Sequence, residues 1–156
     1  MATNTLTGDR EIDTSIHDDS ELATMLIELI EFSSEAVECY YTAIDRLEDP
    51  DVVRQLSSFV EDHQQHTRIL REQVSELGET PPDEQTTKSV LAKGKIVLAN
   101  LMGDSVILET MAGSEEEIYA AYEQLLRHSG IPMAMRETLL QQQAEIRRHQ
   151  LWLEQF

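Results

Sequence analysis

The chain has 156 residues, 40% of them hydrophobic, which suits a single domain with a sizeable core. Its 30 acidic residues against 12 basic ones give a formal net charge of −18, a surface that repels nucleic acid and anionic lipid and so argues against either as a partner. The single cysteine, Cys39, excludes an internal disulfide and a paired-cysteine metal knuckle.

Only three residues are lysine, Lys88, Lys93 and Lys95. So acidic and lysine-poor a surface fits a saline habitat as well as plain solubility. The first 19 residues are polar and acidic with no apolar core, unlike a secretory signal, and no stretch reaches the length of a membrane span. The expected address is the cytoplasm. Six glycines and four prolines are few, and most prolines stand where helices should break, which predicts an all-α protein.

In chain order, residues 1–19 are rich in Thr, Asp and Ser without apolar periodicity and predict a flexible acidic arm, with His17 solvated in it. Ser20 is a natural N-cap, and Leu22, Met25, Leu26, Leu29, Tyr40 and Leu47 recur at helical spacing over Glu21 to Glu48. Asp49-Pro50 breaks that helix, because proline lacks a donor and restricts the residue before it. So short a link forces the next helix, Asp51 to Leu77, to return antiparallel. Gly78 and Thr80-Pro81-Pro82 end it.

A shorter apolar helix is predicted over Ser89 to Met102, limited by Gly94 and Gly103. A third long helix starts at Asp104 or Ser105 and runs to about His128. The Ser129-Gly130-Ile131-Pro132 turn leads into a fourth that reaches the C-terminus. The domain is then residues 20–156: two antiparallel hairpins joined by a crossover long enough to travel the length of a bundle.

Helical-wheel positions identify what faces the core. On the second helix His63 falls near the centre of the apolar face and His66 at its edge. Imidazoles at i and i+3 lie one turn apart on one side, a spacing that can present two nitrogens to one metal. On the third helix Glu115 falls inside the apolar arc with Met111, Ala112 and Ile118, and a carboxylate there costs several kcal/mol unless paired, protonated or cation-bound. On the fourth, His149 lies at the edge of the arc around Ile146, flanked by Gln142 and Gln143. Ser33 falls inside the first helix's arc. Glu35, Glu38, Glu116 and Glu117 fall outside the arcs and read as solvated.

His63, His66, Glu115 and His149 therefore form the candidate metal set, suited to iron, manganese or zinc. Tyr40, Tyr119 and Tyr122 are candidate supporting donors. Without a metal, Glu115 would pair with a core histidinium. The hairpins also repeat weakly. An offset of 83 brings His66 onto His149 and Asp62 onto Glu145, and an offset of 82 brings Ser33 and Tyr40 onto Glu115 and Tyr122.

With hairpin, long crossover and hairpin in this order, the chain resembles the ferritin-like four-helix bundles, the superfamily of ferritins, bacterioferritins and rubrerythrins, over residues 20–156. In detail it is similar to small bacterial ferritin-like domains of unknown function. The resemblance implies a di-iron site with a Glu on the first and third helices and a Glu-x-x-His on the second and fourth. Glu115 matches the third-helix Glu, and His66 and His149 match the histidines. Ser33, His63 and Ile146 stand where the other carboxylates belong, leaving Asp62 and Glu145 as reserve ligands.

Two functions follow. One is a cytoplasmic ferritin-like protein with one transition metal in its core, acting in metal handling or in a redox or stress response. The other is a metal-free interaction module, a homodimer built on apolar surface such as Ile27, Tyr41 and Trp152. No nucleophile–base constellation or phosphate loop argues for another enzyme class.

Overall fold

A computed structural model of the chain describes residues 9–83, 98, 100 and 103–156, with side chains from residue 18 onward. Four long helices make up the described part: α1 (Asp9–Ile44), α2 (Pro50–Glu76), α3 (Asp104–Leu126) and α4 (Met133–Leu153). Together they form an all-α four-helix bundle. None of the helices is long and apolar enough to cross a membrane. The short helix expected over Ser89 to Met102 and the side chain of His17 lie outside the described residues.

The α1–α2 turn follows from its sequence. The Asp49 side chain accepts from the Asp51 and Val52 amides at 2.9 and 3.4 Å, satisfying two donors that the first turn of a helix leaves free. Pro50 occupies the first helical position, where its missing N–H costs nothing. At the other end of α2 the chain passes through Gly78 with φ +80°, a backbone that a side chain would strain. The Gly78 and Glu79 amides close on Ser75 and Val74 there. The α3–α4 turn is tied by Arg136, whose guanidinium donates to the Leu126 and His128 carbonyls at 2.7 and 3.1 Å and so supplies the cation that α3 lacks in its own last turn.

Two boundaries differ from expectation. Helix α1 starts at Asp9 rather than after Ser20, so helical backbone runs through the second half of the stretch expected to be a flexible arm. No glycine or proline interrupts residues 9–20, and Asp9, Glu11 and Asp13 are acids placed where a helix N-terminus favours them. Helix α1 also ends at Ile44, a turn short of Glu48, as the chain bends ahead of Pro50.

Helix α1 packs on α2 and on α3, and α3 packs on α4, while α2 and α4 approach each other less closely. Leucine, isoleucine and aromatic side chains fill the interior, with Leu22, Leu29, Leu56, Leu70, Leu125 and Leu139 fully buried. Ile27 and Trp152, expected on the surface, pack against this core, whereas Tyr41 is exposed. Between α2 and α4 the filling changes to histidine, aspartate and glutamate.

Replacing Asp49 with Ala should remove the α2 cap and cost about 1 kcal/mol of stability, read as a lower urea midpoint with an unchanged m-value. An unchanged midpoint would show that the turn is held by Pro50 alone.

Candidate metal centre

Eight polar side chains are buried among the described residues, and Ser33, His63, His66, Glu115, Gln142 and His149 are among them. Glu115 is the centre of the group. Its Oε1 accepts the hydroxyl of Tyr40 from α1, lies 2.9 Å from His63 Nε2 on α2, and lies 3.4 Å from His149 Nδ1 on α4. One carboxylate oxygen on α3 is thus shared by side chains from the other three helices. Burial pushes the Glu115 carboxyl up, but His63 and His149 beside it outweigh that and hold it down at about 2. Burial and the adjacent Glu115 push Tyr40 well above the usual tyrosine range, so it stays a donor.

The histidines are oriented by carboxylates outside this cluster. His149 Nε2 lies 2.9 Å from Asp62 Oδ2, an oxygen that Arg148 also approaches at 3.3 Å. An ionised carboxylate only accepts, so Nε2 carries the ring proton. The other ring nitrogen, Nδ1, is buried without a hydrogen-bond partner and faces Glu115 Oε1 at 3.4 Å. The ring is held flat by Phe59, stacked on it at 4.0 Å between centroids.

His66 is arranged in the reciprocal way. Its Nε2 lies 2.5 Å from Glu145 Oε2, while burial lowers its pKa despite the Glu145 carboxylate. Asp62 on α2 therefore serves the histidine of α4, and Glu145 on α4 serves the histidine of α2. The positions related by an offset of 83 in the sequence are exchanged across the two helices.

The donor atoms of His63, Glu115 and His149 all lie within 4.8 Å of one another, a grouping able to hold a metal ion. Metal–ligand bonds of about 2.1 Å at tetrahedral angles place donors about 3.4 Å apart. The 2.9 and 3.4 Å spacings around Glu115 need little adjustment to reach that. His66, the fourth residue of the sequence-derived set, is outside the grouping and rests on Glu145. Of the tyrosines, Tyr40 reaches the centre, Tyr122 donates to Gln142 Oε1 at 2.9 Å, and Tyr119 carries the Arg147 guanidinium 5.0 Å above its ring. Sequence reasoning held Asp62 and Glu145 only in reserve, although their correspondence in the repeat already pointed at them.

A second grouping, Asp18, Glu21 and His128, is more exposed. There His128 Nδ1 accepts from the Gly130 amide at 3.1 Å, so in the neutral ring the Nε2 facing both carboxylates bears the proton and has no lone pair for a metal. It reads as a polar contact between the start of the bundle and the α3–α4 turn.

The chain belongs to the family described as domain of unknown function DUF2383, whose profile matches residues 21–128. That span carries His63, His66 and Glu115 and ends before α4, which holds Glu145 and His149. No curated protein and no solved structure matches the chain.

The lowered pKa of His66 sets a pH dependence. Below its unfolded value of 6.5 the unfolded chain takes up a proton that the buried ring resists, so its contribution to stability is present above 6.5 and is lost as pH falls. Glu115, lowered from 4.5 to about 2, contributes fully above 4.5 and loses its share progressively as pH falls from there to about 2. In metal-free protein, the stability difference between wild type and His66→Gln should therefore shrink as pH falls below 6.5, measured by urea denaturation at a series of pH values. A difference independent of pH over that range would mean that the folded ring titrates normally.

Proposed function

We propose that the bundle is a ferritin-like domain binding one divalent transition metal through His63 Nε2, Glu115 and His149 Nδ1, with iron the first candidate and manganese or zinc next. The observation that carries this reading is the contact between His149 and Glu115. A ring nitrogen without a hydrogen-bond partner and a carboxylate oxygen face each other at 3.4 Å in the core, while the other nitrogen of that ring is engaged by Asp62. A ring nitrogen and a carboxylate oxygen so placed call for a positive charge between them, supplied either by a proton on the ring or by a bound metal ion.

Two neutral imidazoles and one carboxylate are a donor set for non-haem iron, and equally for zinc and manganese. Asp62 supports His149 as an outer carboxylate orients a metal-ligating imidazole, and Tyr40 fixes the Glu115 carboxylate. Iron or manganese in such a set supplies one-electron chemistry, whereas zinc supplies only Lewis acidity. The missing carboxylates argue for one ion rather than two. Ser33 and Ile146 bring no charge, and Glu145 is engaged by His66. A metal-handling or redox role rests on the metal being iron or manganese.

Elemental analysis of untagged protein, after reconstitution with Fe(II), Mn(II) or Zn(II), should find about one ion per chain. His149→Ala and Glu115→Gln should lose it, Asp62→Asn should weaken binding about 10- to 100-fold, and His66→Gln should keep it. Absence of uptake with all three metals would overturn the proposal and leave Glu115 and the histidines as a structural ion-pair network. About two ions per chain would place Glu145 and His66 among the ligands of a di-metal centre.

A further inference from the structure

Helix α4 carries an apolar stripe that its own bundle does not use. Its inner face buries Met135, Leu139, Ile146 and Leu153. Met133, Leu140 and Leu151 stand on the opposite side, 79%, 48% and 52% exposed, and are three of the six large hydrophobic side chains exposed among the described residues. They follow one another after two and then three helical turns and so stand in line, with the small side chain of Ala144 between Leu140 and Leu151. Single exposed apolar residues are ordinary, whereas a stripe at helical spacing is the form in which one helix meets another.

Charge says what covers it. In a chain of formal charge −18, helices α1, α2 and α3 each carry more acids than bases, whereas α4 carries three arginines against two glutamates. Two copies of so acidic a chain repel across most of their surfaces, and α4 is the helix on which they can meet without setting acid against acid. Glu137 and Arg148 flank the stripe on one edge, and Glu137 is exposed and without an ion-pair partner among the described residues. A two-fold axis brings each edge against the same edge of the other copy. With two α4 helices antiparallel about an axis level with Gln142, Met133 falls beside Leu151 of the second copy, Leu140 beside its Ala144, and Glu137 beside its Arg148. The arginines of the other edge are turned back into their own bundle, Arg136 onto the Leu126 and His128 carbonyls and Arg147 over the Tyr119 ring.

We propose that the outer face of α4 is the interface of a homodimer, in which two α4 helices pack antiparallel through Met133, Leu140, Ala144 and Leu151, and Glu137 of each copy pairs with Arg148 of the other. The dimer is independent of whether the core holds a metal. One helix against one helix is a contact at the small end of specific interfaces, so the dimer forms and dissociates with protein concentration.

The test is sedimentation equilibrium of the full chain at an ionic strength of about 0.15 M, which screens the repulsion between two acidic copies. Wild type should approach twice the chain mass as its concentration rises to about 100 μM. Leu140→Glu sets two carboxylates beside the two-fold axis and should weaken the dimer at least about 100-fold with an unchanged helical circular dichroism signal. Tyr41→Glu, an exposed position on α1, should leave it intact. Glu137→Arg and Arg148→Glu should each weaken it about tenfold by opposing like charges, and the double variant should recover. Arg148→Glu also disturbs the contact with Asp62, which the double variant does not repair, so recovery reports the interface alone. A wild type that stays monomeric over the whole range would overturn the inference. So would a dimer that Leu140→Glu leaves unchanged, or one that Tyr41→Glu dissociates, and additive weakening in the double variant would overturn the antiparallel pairing.

Discussion

The structure depends on one buried anion. Glu115 sits with its carboxylate wholly out of water, and an uncompensated carboxylate there would cost more than a domain of this size can spare from its net stability. Compensation arrives from three directions, as Tyr40, His63 and His149 converge on the same oxygen. Each belongs to a different helix, so the axial register of α1, α2 and α4 is fixed against α3 at this level. Hydrophobic packing is tolerant of small slides along a helix axis. A shared oxygen is not, and a shift of one turn, about 5.4 Å, would break all three contacts.

Around that point α2 and α4 are related by exchange. Asp62 and Glu145 each stand four residues before a histidine in their own helix, and each reaches across to the histidine of the other. Both acids lie at the rim, with side chains 32% and 27% exposed, while the histidines they hold are almost wholly buried. A rim position lets a carboxylate remain ionised in water on one side while it fixes an imidazole proton on the other. The two halves are not equivalent inside the core. The Glu115 half has a carboxylate facing two histidines, whereas the positions related to it by the repeat hold Ser33 and Tyr122, with Gln142 beside Tyr122. A symmetric pair of outer acids thus surrounds an asymmetric interior.

Much of this was legible in the sequence because it is set by local chemistry. Asp49-Pro50 and the Gly130–Pro132 turn dictate two hairpins, and the apolar arcs place His63, His66, Glu115 and His149 inside, where all four are found. The start of α1 was not legible, because apolar periodicity marks where a helix is covered rather than where it begins. Nor was the pairing of acids with histidines. A wheel describes one helix at a time, and by that measure Asp62 and Glu145 lie off the apolar face. Their partners are chosen by the relative height of α2 and α4, which no single-helix pattern contains. The division of the histidines follows from the same cause: His66 looked equivalent to His63 on its own helix, and only Glu145 on the opposite one draws it away.

The polar layer is best understood by what it displaces. Above and below it the bundle is filled with side chains such as Leu56, Leu70, Leu139 and Leu153, and α1–α2 and α3–α4 pack closely. Buried ion pairs seldom stabilise a fold beyond what well-packed hydrophobic residues of the same volume would, and half-satisfied polar networks do worse. Here the histidines each leave one ring nitrogen without a hydrogen-bond partner, and Glu115 leaves one oxygen. A leucine layer would have been the simpler way to hold four helices together. Those unpartnered atoms are a cost that the hydrophobic layers above and below do not carry.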